Sequence, residues 1–200
     1  MFGLIYIPIV LWSSIIGLFY HPKATVVQLN YDIERNGKVV GKLTSIKSTN
    51  QQTEEYVTES DVKIDILFSI QVYTKVQGTF NNGVLSEGNI LRKVNGKDKA
   101  NAHIIWSNDK YLIKEPHETG SFKFKIYYTT ACLMHEEPTG LQHIFSENFK
   151  QFINVKQLGP HKYVLQLPDG NENIYTYVNG KCAEAVVKTT FATVYIKLKK

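Results

Sequence analysis

Between Asp61 and Phe80 the chain reads DVKIDILFSIQVYTKVQGTF, and its apolar residues fall on every second position. Val62, Ile64, Ile66, Phe68, Ile70, Val72 and Val76 share one parity, against Asp61, Lys63, Asp65, Leu67, Ser69, Gln71, Tyr73 and Lys75 on the other. Alternation of this kind is the signature of a strand with one dry and one wet face. Read as a single strand, the stretch would extend ~65 Å at ~3.3 Å per residue, longer than a domain of this size is wide. It therefore has to coil, kink or bulge, and the sheet around it has to curve. The dry face has to lie against something apolar.

The rest of the chain supplies neighbours for that stretch. Five Asn-Gly or Asp-Gly pairs, at 36–37, 82–83, 95–96, 169–170 and 179–180, punctuate runs rich in Val, Ile, Thr, Tyr and Phe. Asn-Gly is the strongest short hairpin signal, because both turn residues need a positive φ. The runs Thr25–Arg35, Lys38–Thr49, Val84–Val94, Lys99–Trp106, Tyr111–Lys114, Phe122–Thr130, Tyr163–Leu167, Ile174–Val178 and Val186–Leu198 are read as strands. Gly41 and Gly88 inside strands mark a bulge or a close approach. A succession of hairpins gives a meander, not a βαβ pattern. The fold expected is mainly all-β, a curved antiparallel meander sheet or half-open barrel with at most one short capping helix. The candidate for that helix lies within Glu136–Leu158, where Leu141, Ile144, Phe145, Phe149, Phe152 and Ile153 recur at helical spacing. A loop-and-strand segment whose aromatics plug the core is the alternative.

Residues 1–24 stand apart as a signal peptide or N-terminal membrane anchor, and 25–200 form a single β-rich domain. Phe2–Tyr20 holds no charged residue, and as a helix its 19 residues would span ~28 Å, close to the hydrocarbon thickness of a bilayer. A signal peptide lacks two of its usual marks here, a Lys or Arg before the apolar run and a small-x-small cleavage site. In either reading the domain is expected to be exported: periplasmic, secreted, or held at the membrane by the N-terminal segment. The formal net charge is +5, yet the basic residues form no long run, and no zinc finger, recognition helix or RRM motif is present, so nucleic acid is not an expected partner. An outer-membrane barrel is rejected, because the wet faces carry Asp, Lys and Gln, and a Lys or Arg facing lipid at the midplane costs ~2–4 kcal/mol. An oxidising compartment permits a disulfide between Cys132 and Cys182, with two free thiols as the alternative.

The pieces YDIERNGKVVGKL, GVLSEGNILRKVNGK, EEPTG, FSENFKQF and LPDGNENIYTYVNG, in this order, resemble a family of uncharacterised secreted bacterial β-rich proteins, classed as a domain of unknown function. The resemblance covers roughly Leu29–Leu198. Its remoter similarity is to the half-open barrels of the Gram-negative envelope, such as lipoprotein carriers. That implies an envelope location and an apolar groove, and carries over no catalytic residue.

Enzyme signatures are missing: there is no G-x-S-x-G elbow, no H-E-x-x-H and no P-loop. The stretch His135, Glu136, Glu137, with His143, Ser146 and Glu147 downstream, is the one place where a hydrolase would have to be built, but local hydrogen bonding accounts for such loop groups. His103 reads as a strand residue. No cofactor or metal is expected. The function expected is non-enzymatic: binding of a lipid or other apolar small molecule on Val62, Ile64, Ile66, Phe68, Ile70 and Val72, capped by Leu141, Phe145 and Phe149, with envelope proteins as further partners. A structural or interaction module with a solid core is the alternative. A reporter enzyme that is active only after export, fused behind the chain, is expected to be active; retention of the fusion in the cytoplasm would remove the exported reading.

Overall fold

Antiparallel pairing follows the turn chemistry. The Asn-Gly pairs at 36–37, 82–83, 95–96 and 179–180 all have positive φ at both residues, as does Asn108-Asp109. The structure is a computed structural model and describes residues 24–65, 68–188 and 192–200. Its first arm is a meander of β1 (Thr25–Arg35), β2 (Lys38–Asn50), β3 (Thr53–Asp65), β4 (Ser69–Asn81), β5 (Val84–Val94), β6 (Lys97–Ser107), β7 (Lys110–Lys114) and β8 (Thr119–Phe122). The second is β9 (His143–Ser146), β10 (Gln151–Gly159), β11 (Lys162–Gln166), β12 (Glu172–Val178), β13 (Lys181–Lys188) and β14 (Thr193–Leu198). The arms join where β1 pairs with β14, Tyr31 opposite Leu198 and Ile33 opposite Ile196. Among the described residues the result is one 14-stranded sheet with β8 and β9 at its edges.

The alternating stretch is not one strand. It is the hairpin β3–β4, with Val62 opposite Val72, Ile64 opposite Ile70 and Asp65 opposite Ser69. Three residues separate the paired ends, so opposite partners share index parity. The alternation therefore runs through the reversal unbroken, and a hairpin with an odd loop reads in sequence like a strand of double length. Val186–Leu198 is likewise two strands, β13 and β14, paired through Lys188 and Thr193. Of the expected strand 122–130 only Phe122 belongs to one, β8.

No helix forms in Glu136–Leu158. The segment is the hairpin β9–β10, with Ile144 opposite Ile153 and Phe145 opposite Phe152. Its aromatics mimic helical spacing because β9 is covered on both faces. Ile144 points into the main core with Ile153 and Val155. Phe145, on the other face, stacks on Phe122 of β8 at 5.5 Å between ring centroids. Phe122 in turn lies opposite Tyr111, which is fully buried. The outer face of one edge strand thus rests on the inner face of the other. The sheet curls until its ends overlap without pairing, and Lys150 ties the overlap to Glu115 at 2.6 Å.

Gly41 shows how tightly the curled sheet is drawn. A register shift lies opposite it, where Ile33 faces Gly41 but Glu34 faces Val39. A Cβ at Gly41 would fall 2.8 Å from Val62 Cα and closer still to the Asp61 carbonyl oxygen. The obstacle is neighbouring backbone, which cannot swing aside. Gly41→Ala is expected to lower stability by ~1–3 kcal/mol, as overpacking does; chemical denaturation of the variant beside the parent measures it.

Candidate functional site

A curved sheet with an apolar inner face has to be filled. Here the filling is polypeptide. The connection from β8 to β9 enters the hollow at Ile126 and runs through the short 3-10 turn Thr130–Cys132, with Leu133, Met134 and His135 all buried. It packs against both arms. Leu133 and Met134 join the cluster around Tyr31, Ile33, Leu43 and Ile196, while Ile126, Ala131 and Cys132 join that around Leu85, Ile104 and Tyr111. Gly78 of β4 makes room for it, since a Cβ there would meet Thr129 Oγ1 at 3.4 Å and Ala131 Cβ at 3.5 Å.

Irregular backbone inside a core needs partners for its polar groups. Tyrosine hydroxyls of the sheet supply several. Tyr177 donates to the Leu133 carbonyl at 3.0 Å. Tyr31 donates to the carbonyls of Cys182 at 3.0 Å and Met134 at 3.4 Å. Tyr111 donates to Leu85 O at 2.7 Å and accepts from Ile126 N at 3.3 Å. Main-chain bonds complete the set: Cys182 N to Met134 O, and Leu85 N to Ile126 O. Burial pushes the Tyr31 and Tyr177 hydroxyls well above the usual phenol range, so they remain donors.

The segment leaves the hollow at His135-Glu136-Glu137. Glu136 Oε1 accepts from Lys47 Nζ at 2.6 Å and from the Tyr56 hydroxyl. Lys47 also meets Glu54 at 2.7 Å. Burial works to raise the Glu136 pKa, but the bonds from Lys47 and Tyr56 hold it below the usual carboxylate value. Glu137 accepts from Tyr163 at 2.7 Å and faces His161 Nδ1 at 3.0 Å. Lys181 donates to the His135 carbonyl at 3.2 Å. The His135 ring lies edge-on to Tyr56, and neither ring nitrogen makes a hydrogen bond of good geometry. Burial, with the charges of Lys181 and Lys47 beside it, lowers its pKa to about 4. Burial first, and the two lysines after it, keep the ring neutral near pH 7.

Glu147 is a buried carboxylate. It lies in the β9–β10 turn, fully buried, and accepts from the Thr130 hydroxyl. It therefore clamps the overlapping edge to the interior segment. Burial raises its pKa. His143, by contrast, is exposed, and Ser146 Oγ accepts from Phe149 N at 3.4 Å. His103 pairs with Glu87 at 3.0 Å on the outer face. The chain does not assemble His135, His143, Ser146 and Glu147 into one catalytic group, and no group of three or more His, Cys, Asp or Glu among the described residues is arranged to hold a metal.

Of the alternating face expected to meet an apolar ligand, Ile64 and Ile70 are buried opposite one another, with Val62 and Val72 half-buried beside them. Val62 and Ile64 pack into the cluster that holds Leu133. Phe68 is 58% exposed at the head of the hairpin, and Ile66 lies outside the described residues. Leu141 is exposed, Phe145 buried and Phe149 half-buried. Cys132 and Cys182 are both buried and both free. Burial pushes the Cys182 thiol up to about 12 and the Cys132 thiol higher, so neither is a nucleophile near neutral pH. The tyrosine-to-carbonyl clasp was not singled out from sequence. Its signal lies in the buried Tyr31, Tyr111 and Tyr177, positions where a hydroxyl needs a polar partner.

One antiparallel sheet, curled until its edges overlap and holding a stretch of its own chain, defines a β-barrel-like domain. The structure is similar to the beta-barrel-like protein of domain of unknown function DUF1849 from Brucella abortus, with a TM-score of 0.51 and 12% identity over 86% of this chain and 95% of that one. Residues 31–199 match the family described as Domain of unknown function (DUF6134), and the chain belongs to that family. No protein of curated function matches it.

The buried His135 and Glu147 impose opposite pH slopes on stability. His135 has a folded pKa below its unfolded value of ~6.5, so the unfolded chain binds the extra proton and stability falls as pH drops from there towards 4. Glu147 has a folded pKa above its unfolded value, so its contribution is complete below that value and is lost as pH rises through the folded pKa. Glu147→Gln keeps the shape without the charge. Its melting temperature relative to the parent is expected to climb between pH 4 and pH 8; a constant difference across that range would show that the folded pKa of Glu147 is not raised above its unfolded value.

Proposed function

We propose that this chain is an exported, non-enzymatic envelope protein that works as a rigid interaction module, through its outer surface and rims and not through an interior pocket. The observation that carries this reading is the interior segment Ile126–Glu137. It occupies the hollow where a carrier would hold an acyl chain, and it is tied to the sheet by Tyr31 and Tyr177, which donate to its carbonyls, and by Tyr111, which accepts from its Ile126 N–H. Displacing it would leave those groups without partners, at ~1–3 kcal/mol for each buried one. The chemistry of the buried polar groups supports the non-enzymatic part. His135 is held neutral mainly by burial, with Lys181 and Lys47 adding to it, and Glu136 and Glu137 are committed to Tyr56, Lys47 and Tyr163. The uncharged run Phe2–Tyr20 supports export.

Two measurements separate this module from a lipid carrier. Organic extraction of the purified native protein, read by mass spectrometry, is expected to yield no apolar molecule at stoichiometric amount. Leu133→Trp is expected to cost ~1–3 kcal/mol or more, because it overpacks a filled core. A bound lipid in the extract, together with a Leu133→Trp variant as stable as the parent, would establish a ligand cavity instead.

A further inference from the structure

The barrel has two unlike ends, and one carries a patch that folding does not use. β8 ends at Phe122, opposite Tyr111 and beside the Asn108-Asp109 turn. From there the chain runs along the rim to Ile126, whose carbonyl accepts from Leu85, just past the Asn82-Gly83 turn. That rim stretch, Lys123-Phe124-Lys125, is in no strand. Phe124 is 75% exposed and Tyr127 65%, the two most exposed aromatic side chains among the described residues. Lys125 Nζ lies 6.0 Å over the ring of Trp106, and Lys110 follows the adjacent turn. Asp109, in the 108–109 turn, is exposed beside Lys110.

The first strand starts at the same rim. β1 begins at Thr25, opposite Thr49, next to the turn that joins Asn50 to Thr53. Thr53 faces Asn81, and Asn82 N donates to Gln52 O at 2.9 Å. The start of β1 and the rim stretch 123–125 therefore flank the same set of turns. The chain ahead of β1 contains the 19 uncharged residues Phe2–Tyr20.

We infer that this rim, with Phe124, Tyr127 and Trp106 among Lys110, Lys123 and Lys125, rests on an anionic phospholipid surface. Aromatic side chains sit at the level of lipid headgroups, and lysines beside them meet lipid phosphates. An apolar run emerging at the same rim would deliver the domain to the bilayer with this end facing down. The inference rests on the membrane-seeking reading of Phe2–Tyr20, but not on the filled interior.

The test uses the full chain with Trp12→Phe, which leaves Trp106 as its only tryptophan. It is reconstituted into vesicles of phosphatidylcholine alone or with about one-third phosphatidylglycerol, each carrying a lipid spin-labelled near the headgroup. Flotation first shows whether the chain joins the vesicles. Trp106 emission is then expected to fall by about half or more in the anionic vesicles and clearly less in the neutral ones. Raising salt to about 0.5 M, which screens exposed charges beyond a few ångströms, should restore it. Lys123→Glu with Lys125→Glu should restore it too, at an unchanged melting temperature. Phe124→Ala keeps the charge and should weaken the quenching about two-fold. Chain that floats but shows no quenching, or quenching indifferent to lipid charge, salt and both variants, overturns the docked rim. Chain that joins neither vesicle removes the tether and the inference with it, while leaving the interaction-module reading intact.

Discussion

The structure turns on the hydrogen bond from an inward tyrosine hydroxyl to a main-chain carbonyl. A curled sheet can bury regular strands without penalty, because the ladder satisfies their backbone. A segment without secondary structure has no ladder, and each buried carbonyl left alone would cost more than its packing returns. Tyr31 and Tyr177 remove that obstacle at the Met134 and Leu133 carbonyls, and Tyr111 accepts from the Ile126 N–H. Each ring also contributes apolar area to the wall that the segment packs against. Wall and filling are therefore one cooperative unit, and neither half of the core is complete without the other.

The overlap of β8 and β9 solves a second problem. An edge strand offers unpaired backbone to any other strand it meets. Barrels remove their edges by pairing the first and last strands. Here β9 is tucked beneath β8, with Phe145 between Phe122 and Phe152 at 5.5 and 5.6 Å. The edge is shielded by an aromatic stack and by the interior segment, whose Tyr128 carbonyl accepts from Phe145 N at 3.1 Å, and not by a partner strand. Glu147 reinforces it from the turn, reaching Thr130 of the interior segment.

How much of this could be read in the chain depended on whether one face of each element was wet. Where it was, period-two alternation and Asn-Gly turns located β1, β2, β5, β6 and β12 to within a few residues, and Gly41 announced its close approach. The all-β class followed, as did kinship with an uncharacterised family. Legibility failed in three places. In β3–β4 the odd loop preserved parity, so the reversal left no trace in the pattern. In β9 both faces are covered, so His143–Ser146 carries no alternation and its neighbours fell on a helical spacing. The interior segment has no period, and its burial is fixed by residues far away in sequence, Tyr31 being 103 positions from Met134. The candidate site shows the same division. His135, Glu136, Glu137 and Glu147 were visible as a polar cluster, but whether they met a substrate or a lysine was a matter of three-dimensional placement.

The strand order has a consequence for how the molecule comes into being. β1 and β14, the first and last strands to be made, are neighbours in the middle of the sheet, and the centre of the chain lies at its edges. Each arm can zip along short loops as hairpin follows hairpin. The seam between them cannot begin until Thr193–Leu198 exists, because Tyr31 waits for Leu198 and Ile33 for Ile196. Closing so long a loop is entropically slow compared with a local hairpin. Until then β1 offers an open edge and the hollow has half a wall. A chain threaded outward from its N-terminus would carry that exposed strand until β14 followed to seal it.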